Sequence, residues 1–226
     1  MPTDLFARVD AVLREQADAE RAAKQQAYMK SAMPYYGLMS PVFKAALRPI
    51  LADYTPVTRD EWLRDVERLW GRATHREHWY AALAVARHRG AKQWVDGEAM
   101  PVWERLIREG AWWDVVDEIA THLVRDTVLK STESEHQRMR QWATTEGLWL
   151  RRTAIICQVG AKERVDQGLL RDVIEPNIDD PDFFIRKAIG WALRDHARND
   201  PEWVRRFVEE HPGLSGLSRR EALKHG

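Results

Sequence analysis

Cysteine is nearly missing from this 226-residue sequence, in which Cys157 stands alone. A single thiol excludes a disulfide framework and any zinc site built from cysteines. It ends the apolar run Thr153-Ala-Ile-Ile-Cys157, a setting for a buried small hydrophobe rather than a nucleophile. Net charge is missing as well, since 35 Lys+Arg balance 35 Asp+Glu. An overall basic chain, the simplest sequence-level case for a nucleic-acid partner, is thereby removed, and any such partner has to be argued from where the charges sit. No apolar run approaches the about 18 residues of a membrane-spanning helix. The N-terminal stretch mixes acids among its apolar residues, unlike a secretory signal. The expectation is a soluble, cytoplasmic protein with no membrane contact. Strand-like alternation, a glycine-rich phosphate loop, a G-x-S-x-G elbow and a close pair of catalytic carboxylates are also absent. His75-x-x-His78 supplies two metal ligands without a third, where zinc takes three or four, so no metal and no other cofactor is expected.

Tryptophan, by contrast, is abundant: its 11 residues outnumber five Tyr and five Phe together. With 44% apolar and 31% charged residues, the chain has the balance of a globular protein and enough length for a real core. The cations are mostly arginine, which suits phosphate forks and equally reflects a GC-rich genome. Apolar residues recur at helical spacing nearly throughout, as in Leu63, Val66, Leu69 and Trp70 or Ile185, Ala188, Ile189, Ala192 and Leu193. Thr58-x-x-Glu61, Thr74-x-x-Glu77 and Ser218-x-x-Glu221 read as capping boxes, and Ser40-Pro41 and Asp200-Pro201 as helix starts. Taking Trp79, Trp113, Trp149, Phe184 and Ser218 as markers gives spacings of 34, 36, 35 and 34. An amphipathic segment precedes each, at 59–70, 99–109, 134–144, 167–178 and 201–210. A helix pair every ~35 residues predicts an all-α, HEAT-like α-solenoid of five to six helix pairs. Residues 1–226 read as a single domain, with 1–56 as an N-terminal helical cap and 57–226 as the repeats. The tetratricopeptide pattern of similar length is absent. A solenoid of this size needs no partner to close its core, so a monomer is expected.

Three constellations fall on the second helices, which in solenoids line one concave surface. Lys187, Trp191, Arg194 and Arg198 follow at i+4, i+3 and i+4, a stripe of cations with an indole that suits a phosphate backbone. A solvated basic face is the plainer alternative. Trp113 and Asp117 are i, i+4 with Val115, Val116, Ile119 and Leu123 around them; a carboxylate shielded in this way holds negative charge against a developing cation. A salt bridge from Asp117 to an arginine of the next repeat is the structural alternative. Arg152, three residues after Trp149, has the position to orient Asp117, to clamp a phosphate, or both. The turn acids Asp179 and Asp180 look structural.

Four stretches carry a family resemblance: Gln26-Ala-Tyr28-Met-Lys30, Trp112-Trp-Asp-Val-Val-Asp117, Leu148-Trp-Leu-Arg-Arg152, and Phe183-Phe-Ile-Arg-Lys-Ala-Ile-Gly-Trp191 running on to Arg198. Together with Leu217-Ser-Arg-Arg-Glu-Ala222 they span the chain in order, and the sequence resembles the AlkD-type DNA alkylation-repair glycosylases. The resemblance implies excision of N3- and N7-alkylated purines, such as 3-methyladenine and 7-methylguanine, from double-stranded DNA, with the base left in the stack. It assigns Asp117 to catalysis, Trp113 and Trp191 to the cleft wall, Arg152 to support at the cleft, and Tyr28 and Lys30 to DNA contact. Arg151 and Arg186 are cationic departures from the family pattern, which bears on substrate preference. Two other readings stand beside it: a non-catalytic relative that binds distorted DNA, and a HEAT-type protein scaffold.

Overall fold

The computed structural model describes residues 4–130 and 133–224, and among them every regular element is helical. The all-α expectation is met, and no helix there is long and apolar enough to cross a membrane. The chain divides into two compact units, 1–94 and 95–226.

The first unit holds α1 (Leu5–Glu15), α2 (Ala19–Met29), α3 (Ser40–Asp53), α4 (Arg59–Gly71) and α5 (Arg76–Ala86). Helix α1 packs on α3, α4 and α5, and α4 lies along α5. Thr58 caps α4 as its spacing predicts, accepting from Glu61 N, while the Glu61 carboxylate accepts from Val57 N at 2.9 Å. The predicted start at Thr74 is corrected by one residue. His75 is the N-cap of α5, and the Nδ1 of His78 accepts from the backbone N–H groups of Thr74 and His75, each at 3.3 Å. Glu77 is thereby released from capping and turns inward. Fully buried, it accepts from the N–H groups of Tyr36, Gly37 and Leu38 at 2.9, 2.9 and 3.2 Å, pinning the loop before α3. Gly37 has φ +92° there, and a Cβ at this position would lie 2.2 Å from the carbonyl oxygen of Asp18, so only glycine fits. Trp62 and Trp70 are core residues, and Trp79 stacks on Trp70 with ring centroids 4.3 Å apart.

The second unit contains α6 (Met100–Gly110), α7 (Trp113–Glu118), α8 (Arg125–Val128), α9 (Glu133–Ala143), α10 (Leu148–Ile156), α11 (Gln167–Ile174), α12 (Phe183–His196), α13 (Pro201–Glu210) and α14 (Gly216–Ala222). The predicted helices follow in order, α6 before α7–α8, α9 before α10, α11 before α12, and α13 before α14. Second helices contact in series, α7 to α10, α10 to α12 and α12 to α14, and α9 packs on α11, which is the stacking a solenoid requires. Residues 119–124 between α7 and α8 are π-helical, a widening that periodicity did not reveal. Trp103 is buried as expected; so is Cys157, whose thiol burial pushes up to about 12, out of reach as a nucleophile. Asp200 caps α13 ahead of Pro201, as predicted.

The last stacking step depends on one glycine. The N-cap of α14 is Ser215, not Ser218, because Ser215 Oγ accepts from Ser218 N at 3.0 Å. Ser218 is then free to donate its hydroxyl to the Arg186 carbonyl of α12 at 2.9 Å. This brings α14 so close that a Cβ on Gly190 would sit 2.5 Å from the Glu221 Cβ. Gly190→Ala is expected to lower unfolding free energy by about 1–3 kcal/mol through overpacking, measured by urea denaturation; an unchanged value would show that α14 gives way freely.

Candidate functional site

Helix α7 begins at Trp113 because Trp112 is held in extended backbone as its N-cap. Val115 and Val116 face the core, and one turn after the exposed Trp113 stands Asp117, its side chain mostly shielded with 18% left open to solvent. The π-helical turn follows directly, and the Thr121 hydroxyl donates to the Asp117 carbonyl at 2.7 Å, steadying the backbone behind the carboxylate. Arg152 reaches this carboxylate from α10. Its Nε donates to Oδ1 at 2.7 Å and its Nη2 to Oδ2 at 2.8 Å, a planar two-pronged fork. Its remaining arm, Nη1, donates to the Phe184 carbonyl of α12 at 2.6 Å. One guanidinium thus ties three second helices together and is only 5% exposed. Of the two roles open to Arg152, orienting Asp117 is the one its geometry serves, because every guanidinium nitrogen already donates within the protein and the residue is buried.

Around the pair lies an aromatic wall. Trp112, Trp149 and Phe184 are in mutual contact with ring centroids 5.9, 5.4 and 5.0 Å apart, and the Arg152 guanidinium sits 5.9 Å from the Phe184 ring centre. Phe184 is fixed by Asp182, which caps α12 by accepting from Phe184 N at 2.6 Å and Ile185 N at 3.3 Å. Burial pushes the Asp117 carboxyl above its ordinary value. The hydrogen bonds and charge of Arg152 pull it back without cancelling the burial, and Asp114 adds to the rise. The result is an oriented, poorly hydrated carboxylate with a mouth to solvent, suited to meeting positive charge.

The adjacent arginine serves a different purpose. Arg151 donates to Asp180 at 2.8 Å and to the Thr145 and Glu146 carbonyls, so its charge is used in packing, and Asp180 is structural as expected. Lys187, Trp191 and Arg194 do share a face of α12, and Trp191 is half-buried there. The predicted cation stripe needs two corrections. Arg198 lies beyond the last helical residue, His196, with Asp195 3.8 Å away. Lys187 and Arg194 are both paired with Glu221 of α14, Lys187 at 3.2 Å, so the stripe is partly neutralised rather than free. Tyr28 and Lys30 end α2 in the first unit, Tyr28 being 78% exposed and Lys30 the exposed left-handed C-cap.

Sequence reasoning missed Glu221 and the Phe184 carbonyl. A signal existed: the contacts Asp117–Arg152, Lys187–Glu221 and Arg186–Ser218 span 35, 34 and 32 residues, one repeat length each. Complementary charges one repeat apart would have exposed the pairings.

A family profile described as "DNA alkylation repair enzyme" matches residues 9–225. No curated protein matches the chain significantly. Among solved structures, the chain is similar to a "Predicted DNA alkylation repair enzyme from Enterococcus faecalis", with 29% identity and a TM-score of 0.82 over 93% of this chain and 96% of that one. It shares its fold with the Pseudomonas fluorescens alkylpurine DNA glycosylase AlkC bound to DNA containing an abasic site analogue. There the identity is 18% and the TM-score 0.51, over 97% of this chain and 60% of that chain.

Because the Asp117–Arg152 pair is shielded, breaking it from one side should be costly. Arg152→Ala is expected to reduce unfolding free energy by about 3–5 kcal/mol. A double-mutant cycle with Asp117→Asn should return a coupling of about 1–3 kcal/mol; strictly additive losses in urea denaturation would contradict the pairing.

Proposed function

The chain belongs to the DNA alkylation repair enzyme family, and from that premise we propose that it is a DNA glycosylase that removes cationic N3- or N7-alkylated purines from duplex DNA. The single observation that carries this reading is the Asp117 carboxylate, held by two prongs of Arg152 and raised by burial while still open to solvent. Its role in DNA repair follows from the family; the excised base and the chemistry are the proposal.

Alkylation at N3 or N7 gives the purine a positive charge, so the base leaves neutral when the C1′–N bond breaks with its electron pair going to the base. A general acid on the leaving group is unnecessary, which removes half of the two-carboxylate apparatus of ordinary glycoside hydrolysis. Positive charge then gathers on the deoxyribose, where Asp117 stabilises it and orients a water. The water oxygen bonds C1′, its proton passes to solvent, and the products are a free base and an abasic site. Arg152 acts through Asp117 as a positioning residue: it keeps the carboxylate from rotating, so the favourable field is in place before the bond breaks. Trp113, at the surface, and Trp191 offer π faces to a cationic nucleotide, at about 0.5–2 kcal/mol each. A surface indole suits a base that stays in the stack. Lys187 and Arg194 supply phosphate contacts once Glu221 yields them, with Arg198, Tyr28 and Lys30 as further contacts.

A non-catalytic DNA-binding relative is the second reading. It has no use for a dehydrated carboxylate beside phosphates, and the oriented Asp117 therefore favours the enzyme.

Incubation with duplex DNA carrying 7-methylguanine should release the free base, and Asp117→Asn should slow release at least ~100-fold. Equal rates would remove Asp117 from the mechanism. Since the ionised carboxylate is the active form and burial raises its pKa, the single-turnover rate should fall on acidification at a pH above the ~3.9 of an ordinary aspartate; a rate flat to that value would contradict the assigned role.

Glu221→Gln leaves Lys187 and Arg194 without their acid. Affinity for undamaged duplex should rise, and the log–log salt slope should steepen by as much as ~2, one ion per freed phosphate contact. An unchanged slope in fluorescence anisotropy would place both cations outside the DNA interface.

A further inference from the structure

A second feature lies wholly within the first unit and takes no part in the chemistry above. Helices α3 and α5 border a groove of about 400 Å³, floored by Phe43, Leu47 and Leu51 and flanked by Lys44, Arg48 and Arg89. The floor is preformed: Phe43 meets the Tyr80 ring edge-on at 6.1 Å, and the Tyr80 hydroxyl is hydrogen-bonded to that of Tyr35 at 3.2 Å. Lys44 and Arg48 are exposed and one helical turn apart, so they lie on one side of α3. Among the described residues, neither these two nor Arg89 pairs with an acid, in contrast to Lys187 and Arg194. No acidic residue lines the groove.

We propose that this groove docks a partner protein through an acidic peptide segment that carries a large apolar side chain. Two complementarities support one occupant. Three unpaired cations call for negative charge, and an apolar floor calls for a side chain that gains by leaving water. The backbone of a DNA duplex meets the first demand, but its bases are stacked inside and offer no apolar knob to the floor. A purely apolar segment meets the second and leaves the cations unanswered. An acidic segment with an apolar anchor satisfies both, in the manner of peptides that seat one or two side chains in a groove and arrange charge around it. The inference stands apart from the glycosylase reading, because none of its residues belongs to the Asp117 site.

The test uses the full chain and a fluorescein-labelled peptide of four aspartates followed by Leu-Leu-Ser-Phe, read by anisotropy. Saturable binding in the micromolar range is expected. Lys44→Glu combined with Arg48→Glu reverses the charge on exposed positions, and Ala84→Trp, at the α5 residue that lines the groove, fills it without changing charge; each should weaken binding at least about ten-fold. Urea denaturation of both variants confirms that they are folded. Replacing the aspartates of the peptide by asparagine, or its Leu and Phe by serine, should weaken binding as much. Three results overturn the proposal: no saturation up to about 1 mM, equal binding of the serine peptide, or loss of affinity for undamaged duplex in the charge-reversed variant as large as its loss of peptide. The last would assign the cations to DNA phosphates.

Discussion

Three helices of the second unit meet at one guanidinium. Arg152 spends two of its arms on the Asp117 carboxylate of α7 and the third on the Phe184 carbonyl of α12. This is a packing device and, in the proposed function, a chemical one. Burying a carboxylate beside aromatic rings carries a large desolvation cost, and it persists only because a fork of matched geometry faces it. The same fork makes the carboxylate rigid, and rigidity is what an electrostatic catalyst needs, since a dipole that must reorient at the moment of reaction has lost its advantage. The cap of α12 by Asp182 and the π-helical turn behind Asp117 belong to this arrangement, because each fixes a backbone segment from which one of the partners is offered.

The cationic face of α12 follows a different rule. Glu221 is brought against Lys187 and Arg194 by the close approach of α14, and that approach exists because Gly190 has no Cβ and Ser218 bonds back to Arg186. One acid thus partly offsets two cations at this face. In the proposed function, phosphates would have to displace this internal acid before both cations were free to bind them. In the first unit, the buried Glu77 is an acid engaged by backbone N–H groups, and separately the basic side chains of α3 and Arg89 line a groove without an acid.

Much was legible from local pattern. Helix positions, the paired order of helices and the ~35-residue repeat follow from apolar spacing, which reflects the helical period and needs no knowledge of neighbours. Local pattern also misled where a residue had two possible uses. Glu77 and Glu221 both stand three residues after a hydroxyl side chain and read as capping-box acids; in the structure both turn away from the cap to meet demands from segments 27 to 41 residues distant. A cap contributes about 1 kcal/mol, and a buried set of amide donors or a pair of cations outweighs it.

The sequence by itself determined an all-α chain of repeated helix pairs and the short list of unusual side chains: Trp113, Asp117, Arg152 and Trp191. Only the tertiary structure decided which neighbouring arginine serves the carboxylate. Arg151 and Arg152 are adjacent and chemically identical, yet a helix turns 100° between them, sending one to Asp180 and the other to Asp117. It likewise decided that the α12 cations are answered by Glu221 and that those around α3 are not. The reason is the same in each case: a helical period specifies which residues share a face, while the partner of that face is set by the stacking of the next repeat.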